Sequence, residues 1–212
     1  MIRAVIFDMD GTLFDTEARY GRGWKAAGLT DEQYHQMIGR GHIANDRVLE
    51  SWGMNPAEIR RIRNESVRRE LEEEGLPVKP GAGEALQWLM EQSIPVAVAT
   101  SSPLEMAEDY MKRSGFGRYF AGVFSGFLLE RGKPFPDLFL QAAQELGVDP
   151  ADCMVVEDSY NGVRAGRNAG MVTVMVPDQV PADDEMRTTA DAVLTTLLEL
   201  PALIEDINRY ST

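Results

Sequence analysis

The sequence predicts an α/β fold in which a parallel sheet carries helices on both faces and a helical segment is inserted near the start. Short apolar runs such as Ala4–Phe7 have the length and composition of buried parallel strands. From residue 82 onward, strand and helix patterns alternate, as they do when crossover helices join parallel strands. Residues 15–79 are instead rich in charge, with helical spacing and almost no β-branched runs, which predicts helices only.

The first predicted strand, Ala4–Phe7, is followed by a series of predicted helices that forms the insert. These helices cover residues 15–27, 31–38, 43–52 and 56–74. Thr30 and Gln33 fit a capping box at the start of the second helix, in which each side chain binds a free backbone N–H group. Segment 77–81, rich in Pro and Gly, ends the insert like a hinge.

After the insert, the remaining strands are predicted at residues 95–99, 122–125, 153–156, 172–176 and 192–194, the last at an edge of the sheet. Predicted helices cover residues 84–91, 103–114, 136–146 and 161–168, with a final helix in the tail from residue 196. Ser102 is in position to cap the helix that begins at Pro103. Because crossovers are right-handed, the strand ends at Asp8, Thr100 and Asp158 should meet at one edge.

The composition narrows the classes of function. A formal net charge of −13 argues against nucleic acid and against an anionic membrane surface as partners. The single cysteine, Cys153, excludes an internal disulfide and fits a reducing compartment. No run approaches the roughly 18 apolar residues of a membrane span, and the N-terminus lacks a signal-peptide pattern. We therefore expect a cytoplasmic protein with a small-molecule partner; a monomer is compatible with the sequence, which leaves the oligomeric state open.

Two carboxylates, Asp8 and Asp10, follow the first strand at a spacing that points both to the same side of an extended chain. Gly11 then permits a sharp turn. Crowded carboxylates repel each other unless a cation or a shared proton intervenes, and Mg²⁺ is a hard cation that takes oxygen ligands. The alternatives are a solvated turn, which Asp and Gly also favour, and a calcium loop, which Thr12 opposes because that pattern wants a third Asp or Asn there.

Three further features are predicted at the same edge. Thr100 and Ser101 offer a hydroxyl and backbone N–H groups at the start of a helix, which suits an anion. Lys133 lies in a loop rich in Pro and Gly, and Glu157 with Asp158 forms a second acidic pair at a strand end. Together these residues describe a site for Mg²⁺ and phosphate.

At these motifs the chain resembles the haloacid dehalogenase superfamily phosphatases, in the branch with an α-helical cap that includes the β-phosphoglucomutases. The first family motif, Asp-x-Asp-Gly-Thr, matches residues 8–12. The second, a Thr or Ser that ends a strand, matches Thr100, and the third, a Lys before Pro, matches Lys133. The fourth, an acidic pair followed by Ser-x-x-Gly, matches residues 157–162. The resemblance implies a Rossmann-like three-layer core, residues 1–15 and 80–212, with a cap of residues 16–79.

The resemblance also implies roles for the motif residues. Asp8 would be the nucleophile that forms an aspartyl phosphate. Asp10 would protonate the leaving oxygen and then take a proton from water. Thr100 and the Ser101 N–H group would hold phosphate oxygens, and Lys133 would neutralise the phosphate and pair with Asp8.

The implied metal is Mg²⁺, held by Asp8, by the backbone carbonyl of Asp10 and by Asp158. Glu157 is a further candidate ligand, acting directly or through water. Asn161 either orients the loop that carries Asp158 or caps the next helix.

The cap would choose the substrate by closing over the site. Arg40, His42 and Arg47 lie near the loop predicted to face it, and His42 is the candidate for substrate binding, although such side chains are commonly just solvated. Trp24 and the other two tryptophans are assigned to packing, and the charged run of residues 60–74 to a solvated helix face.

The sequence therefore predicts a Mg²⁺-dependent phosphatase for a small phosphorylated metabolite, with a sugar phosphate as the favoured class. A sugar phosphomutase is the alternative, although Tyr20 and His42 stand where β-phosphoglucomutases carry His and Arg. A dehalogenase is disfavoured because Asp10 is present. A non-catalytic phosphate- or metal-binding protein on the same scaffold is a third possibility, which the presence of Asp8, Asp10, Lys133 and Asp158 opposes.

Overall fold

The computed structural model describes residues 1–210 and contains one six-stranded sheet whose strands are all parallel. In chain order the strands are β1 (Ala4–Phe7), β2 (Val96–Thr100), β3 (Phe120–Ser125), β4 (Cys153–Glu157), β5 (Val172–Met175) and β6 (Ala192–Val193). Their order across the sheet is β3-β2-β1-β4-β5-β6. The chain thus starts in the middle of the sheet, builds outward to one edge, returns and completes the other side. The predicted α/β fold class is confirmed.

Helices cover both faces of the sheet and fill the connection between β1 and β2. They are α1 (Glu17–Ala26), α2 (Asp31–His35), α3 (His42–Ser51), α4 (Pro56–Glu74), α5 (Ala82–Glu91), α6 (Leu104–Ser114), α7 (Asp137–Leu146), α8 (Tyr160–Asn168), α9 (Asp184–Thr189) and α10 (Leu200–Tyr210). Among residues 1–210, none of these helices combines the length and the hydropathy needed to cross a lipid bilayer.

Alternation along the strands produces three layers. Val5 and Phe7 of β1 belong to the apolar core that includes buried residues of α5, α6 and α10, whereas Ala4 and Ile6 belong to the core formed with α7 and α8. All four side chains are fully buried, as expected of a central strand covered on both faces. Because successive side chains of β1 point to opposite faces of the sheet, the sheet has an apolar core on each face, as the predicted Rossmann-like arrangement requires.

The inserted helices pack as predicted at their capped ends. The Thr30 side chain accepts from the Gln33 N–H group at 3.2 Å, and the Gln33 side chain accepts from the Thr30 N–H group at 3.0 Å, so the capping box is present. Helix α4 begins with Asn55 as its cap and Pro56 as its first residue. The division of the chain at residues 16 and 79 into core and cap stays a prediction.

The two connections between sheet and insert run side by side. Phe14 forms an antiparallel bridge with Val78. The Asp15 N–H group donates to the Pro77 carbonyl at 3.0 Å, and the Lys79 N–H group donates to the Leu13 carbonyl at 2.9 Å. The insert is therefore joined to the sheet through one short pair of hydrogen-bonded strands rather than through two independent linkers.

Two local predictions differ from the structure. Ser102 does not cap α6, which begins at Leu104 without a side-chain cap. The Ser102 hydroxyl donates instead to Asp10 Oδ2 at 2.6 Å, since a hydrogen bond to a carboxylate is stronger than one to a neutral acceptor. Helix α9 was not predicted; it is one short helix capped by Asp183, whose side chain accepts from the Met186 N–H group at 2.8 Å.

Candidate active site

The candidate site lies at the carboxyl edge of the central strands. Asp8 follows β1, Thr100 ends β2 and Glu157 ends β4, so neighbouring parallel strands deliver all three to one place. The eight residues predicted for the site line a single cavity of about 110 Å³. They are Asp8, Asp10, Thr100, Ser101, Lys133, Glu157, Asp158 and, from the insert, His42.

Lys133 occupies the centre of this cavity wall. Its Nζ donates to Asp8 Oδ1, to Glu157 Oε1 at 2.6 Å and to the Ala99 carbonyl at 3.2 Å, so all three ammonium hydrogens are used. The residue is only 3% exposed. Burial alone would lower the pKa of Lys133, but Asp8 and Glu157 hold that pKa above its ordinary value. The ammonium group is therefore charged and fixed in position.

Three carboxylates surround this one ammonium group. Oxygen atoms of Asp8, Glu157 and Asp158 lie within 4.8 Å of one another, and all three residues are buried. Burial raises the pKa of Asp8 to about 8 against the opposing effect of Lys133. Burial, with Glu157 and Asp8 nearby, raises the pKa of Asp158 well above its ordinary value. Three ionised carboxylates would carry more negative charge than Lys133 can balance, and this donor set fits a hard divalent cation.

The three carboxylates differ in how many of their oxygens accept a hydrogen bond from the protein. Glu157 Oε1 accepts from Lys133, and Glu157 Oε2 accepts from the Ser159 N–H group at 2.8 Å and from the Ser159 hydroxyl at 2.9 Å. Asp158 Oδ1 accepts from the Thr12 hydroxyl at 3.1 Å. Within residues 1–210, no donor reaches Asp8 Oδ2 or Asp158 Oδ2. Asp8 and Asp158 thus have oxygens open to a cation, whereas both Glu157 oxygens are occupied.

The turn after β1 depends on Gly11. Its φ of +87° lies in the left-handed region, and a Cβ atom there would be closer than 3.0 Å to the Asp158 carboxylate. This turn brings the backbone after Asp10 close to the Asp158 carboxylate. We found the Asp10 carboxylate outside the cluster of three carboxylates among the described residues, which is compatible with metal binding through its backbone carbonyl only.

The Asp10 carboxylate is held by two hydroxyl groups. Oδ1 accepts from Thr16 at 2.5 Å and Oδ2 accepts from Ser102 at 2.6 Å. Burial raises the pKa of Asp10, while these two hydrogen bonds, Lys133 and Arg63 oppose the rise. A carboxyl group with a raised pKa is suited to exchange protons near neutral pH.

The loop after β2 forms another wall. Thr100 Oγ1 accepts from the Ser102 N–H group at 3.0 Å, which tightens the turn. The Ser125 hydroxyl donates to the Ser102 carbonyl at 2.6 Å and holds the same turn from β3. Thr100 and Ser101 both line the cavity at the N-terminal side of α6, where an anion would be favoured.

The insert supplies the opposite wall, with more residues than the sequence predicted. Glu17, Asn45, Arg60 and Arg63 all line the cavity. The assignment of the charged run of residues 60–74 to a solvated face is wrong for two of its arginines, Arg60 and Arg63. The spacing Arg63 to buried Val67 places both on one helix face, and this signal was available in the sequence.

The predicted insert residues differ in their surroundings. His42 stacks on Phe127, with ring centroids 4.2 Å apart, and burial, with Arg60 and Arg63 adding to it, lowers the pKa of His42. Arg40 lines the cavity but is exposed, whereas Arg47 is exposed and is not among the lining residues. His42 is therefore a neutral ring in the wall at pH 7.

Trp24 is 4% exposed and packs as predicted, although the Arg63 guanidinium lies 4.4 Å from its ring centroid and the tryptophan also borders the cavity. This contact places the Arg63 cation against the aromatic face rather than in solvent.

The loop before α3 closes over the core. A Cβ atom on Gly39, whose φ is +67°, would lie closer than 3.0 Å to the Ser159 side chain. Asn161 does not cap α8, which Ser159 caps. The Asn161 amide instead donates to the Ile38 carbonyl at 3.3 Å and so joins the two parts of the site.

Comparisons with known proteins agree with this architecture. The family model described as haloacid dehalogenase-like hydrolase matches residues 2–170. Hexitol phosphatase B of Escherichia coli K12 is 33% identical over 211 residues, 95% of each chain. Fructose-1-phosphate phosphatase YqaB of the same strain is 34% identical over 181 residues, 81% of this chain and 95% of that protein.

Among solved structures, a β-phosphoglucomutase from Clostridium difficile matches with a TM-score of 0.83 over 99% of both chains. Its 24% identity makes this a likeness of fold. The chain belongs to the haloacid dehalogenase-like hydrolase family, and the predicted family, fold and enzyme class are confirmed.

We expect Asp158→Asn to raise the melting temperature of the metal-free protein and to abolish its rise with Mg²⁺. Without metal, the substitution removes a charge that the folded state buries, so a gain of about 3 °C, or about 1 kcal/mol, is expected. Adding Mg²⁺ should raise the melting temperature of the wild type by at least about 3 °C and should leave that of the variant unchanged. Thermal unfolding in EDTA and in Mg²⁺ measures both effects.

The exposed Glu108→Gln variant on α6 loses the same charge and is the matched control. The pKa of Asp8, about 8 when folded against 3.8 ordinarily, gives the pH dependence. The folded state favours protonated Asp8. The contribution of this group to the free energy of unfolding is therefore fully present below about pH 4 and is lost as the pH rises through 8. The gain from Mg²⁺ should therefore grow between pH 6 and pH 9. An equal gain for wild type and Asp158→Asn would contradict the metal assignment.

Proposed function

We propose that this member of the haloacid dehalogenase-like hydrolases is a Mg²⁺-dependent phosphatase that hydrolyses a small phosphorylated carbohydrate through an aspartyl phosphate on Asp8. The observation that carries the proposal is the state of Asp8. One of its oxygens is paired with the buried Lys133 ammonium, and the other faces a cavity bordered by Thr100, Ser101 and Asp10. A fixed carboxylate beside an anion-binding turn and a proton donor is suited to attack a phosphate ester.

In the first step, one carboxylate oxygen of Asp8 would bond to phosphorus as the bond from phosphorus to the ester oxygen breaks, while its other oxygen would stay available to Mg²⁺. The Thr100 hydroxyl and the Ser101 N–H group are the donors for phosphate oxygens. Lys133 keeps its charge throughout, since two carboxylates favour the ammonium form. This charge offsets the repulsion between the Asp8 carboxylate and the phosphate.

Asp10 would give its proton to the departing ester oxygen, which leaves as an alcohol. In the second step, Asp10 would take a proton from water as the water oxygen bonds to phosphorus and the bond to Asp8 breaks, releasing inorganic phosphate. The Thr16 and Ser102 hydroxyls keep the Asp10 carboxylate in one orientation for both transfers.

Asp8, the backbone carbonyl of Asp10 and Asp158 would hold the Mg²⁺ ion. Glu157, with both oxygens accepting hydrogen bonds, would act on the ion through water or serve to fix Lys133. When bound, Mg²⁺ supplies positive charge that draws phosphate into a strongly acidic protein and neutralises it during attack.

The substrate class is inferred from relatives and from the insert. The relatives reported above are named for hexitol and fructose-1-phosphate phosphatase activities. In this chain the insert wall of the cavity includes polar side chains, among them Glu17 and Asn45, that can meet a hydroxylated leaving group. The cytoplasmic location stays a prediction based on composition.

A sugar phosphomutase is the second candidate, supported by the likeness of fold to a β-phosphoglucomutase. In that reaction the Asp8 phosphate passes to a second sugar hydroxyl. Tyr20 opposes it, because its hydroxyl donates to Met106 Sδ at 2.8 Å and burial raises its pKa well above the ordinary value. His42 is a neutral ring where a mutase would present a cation to the second phosphate.

The decisive assay measures phosphate release from a panel of sugar and sugar alcohol phosphates with Mg²⁺, while glucose 6-phosphate formation from β-glucose 1-phosphate is followed in the same samples. Steady phosphate release from one class of ester would support the phosphatase. Isomerisation with little free phosphate would replace it with the mutase, and binding without turnover would favour a non-catalytic role.

We expect Asp8→Asn to lower phosphate release by about 10³-fold or more, because the amide oxygen is a poor nucleophile. Circular dichroism and thermal unfolding should show a folded protein. Asp206→Asn, an exposed change of the same kind on α10, serves as the control. The wild type should lose turnover in EDTA and recover it with Mg²⁺. Turnover by Asp8→Asn at a near-normal rate would eliminate the proposed nucleophile.

We expect Gly39→Ala to lower kcat/KM by about tenfold or more, because the added methyl group pushes the insert loop away from Ser159 and loosens closure over the substrate. Gly53→Ala is the matched control. Gly53 also has a positive φ, +73°, but a Cβ atom there meets nothing within 4 Å. Equal activity losses in both variants would mean that backbone strain, rather than contact with Ser159, is responsible.

A further inference from the structure

We propose that Glu17 and Asn45 determine specificity by binding hydroxyl groups of the leaving group, and that they select a neutral polyhydroxylated leaving group over one that carries a second phosphate. The inference rests on the proposed phosphatase function and refines it. Both residues lie in the insert wall of the cavity. Neither belongs to the motifs that carry the chemistry.

Glu17 lies next to the group that would protonate the leaving oxygen. Thr16, which precedes it, donates to Asp10. The Tyr34 hydroxyl reaches both the Glu17 backbone carbonyl, at 3.0 Å, and Glu17 Oε1, at 3.2 Å. Among residues 1–210, no hydrogen-bond donor reaches Glu17 Oε2. Tyr34 thus fixes one oxygen and leaves the other for a ligand.

The position of Glu17 is also rigid. A Cβ atom added to Gly21, one turn later in α1, would lie 2.9 Å from the Tyr34 ring, so helix and ring are in close contact. The start of α1 therefore cannot shift without moving Tyr34. A rigid hydrogen-bonding group discriminates between ligands better than a mobile one, because it does not adapt to the wrong partner.

Asn45 provides a second unsatisfied acceptor. Its Nδ2 donates to the Met37 carbonyl at 3.4 Å and to the Arg40 carbonyl at 3.5 Å, which orients the amide. Its Oδ1 is buried and has no partner within the described part of the chain. A buried acceptor without a donor is unfavourable, and a hydroxyl group of a bound ligand would satisfy it.

The charges of this wall do not favour a second phosphate. Arg60 is already paired with Asp46. Arg63 has no carboxylate within ion-pair distance among residues 1–210 and lies against Trp24. The Arg63 guanidinium also donates to Asn64 Oδ1 at 2.7 Å and 2.9 Å, and Arg40 is exposed.

Burial, with Asp10 adding to it, raises the pKa of Glu17 to about 8. The side chain can be an acid or a carboxylate, and in either form Oε2 can bind a hydroxyl group. In neither form does it supply the positive charge that a phosphate dianion needs. The wall thus has acceptors for hydroxyl hydrogens, and of its three arginines Arg60 is paired with Asp46 and Arg40 is exposed, which leaves Arg63 for hydroxyl oxygens.

The test compares kcat/KM for a hexitol 6-phosphate with kcat/KM for p-nitrophenyl phosphate, whose leaving group has no free hydroxyl. The readout is the ratio of the two values. Glu17→Ala and Asn45→Ala should each lower it about tenfold or more, as loss of a hydrogen bond to a buried acceptor predicts. Glu17→Gln should restore part of the ratio. Glu73→Ala, exposed on α4, is the control.

Ratios within twofold of the wild type in both alanine variants would overturn the inference, even if the enzyme is a phosphatase. So would a wild type that prefers fructose 1,6-bisphosphate to fructose 1-phosphate. If the wild type hydrolyses no ester, the proposed function fails separately. In that case calorimetry measures the Kd of the hexitol 6-phosphate for the wild type and for Glu17→Ala. A Kd about tenfold higher for the variant supports the inference, and an equal Kd overturns it. Asn45→Ala gives the same readout if Glu17→Ala does not fold.

Discussion

The ammonium group of Lys133 is the interaction on which the site depends. It joins Asp8 after β1, the Ala99 carbonyl in β2 and Glu157 at the end of β4, so one side chain ties together three neighbouring strands of the sheet. Buried carboxylates are tolerated only where charge is compensated, and Lys133 provides the permanent part of that compensation. The oxygens that Lys133 does not reach form a donor set that fits a cation.

The hydroxyl groups around Asp10 give the second carboxylate a different character. Asp8 pairs with a cation, whereas Asp10 accepts hydrogen bonds from Thr16 and Ser102. Two acids only two residues apart thus experience different fields, one suited to attack and one suited to proton transfer. The two side chains therefore differ in their partners, although they are separated by a single residue.

Much of the fold and the core of the site could be predicted from the sequence. The strands are short buried runs, and the residues at their ends are brought together by parallel pairing alone, which depends on topology rather than on details of packing. The family resemblance implied that Lys133, which lies in a loop after β3, pairs with Asp8, and the contact is present. Short-range signals such as the capping box at Thr30 were equally readable, since their partners lie within one turn.

What the sequence did not predict depends on contacts between distant segments. Ser102 had a local role available as a helix cap, but Asp10, 92 residues away, is a better acceptor. Arg63 shares a helix face with Val67, which the sequence spacing indicates, but it is the packing of α4 against α1 that places this face at the cavity. Glu17 carries no motif, and its burial becomes visible only once Tyr34 is placed beside it.

The adjacency of Thr16 and Glu17 has a consequence for how such proteins can be recombined. Thr16 donates to Asp10, and Glu17 lines the cavity, so under the proposed roles the boundary between chemistry and recognition falls between two consecutive residues. In a chimera whose exchanged insert begins before residue 16, the residue that hydrogen-bonds Asp10 comes from the other protein instead of being Thr16. A crossover point placed after residue 16 keeps this hydrogen bond native while the recognition surface changes.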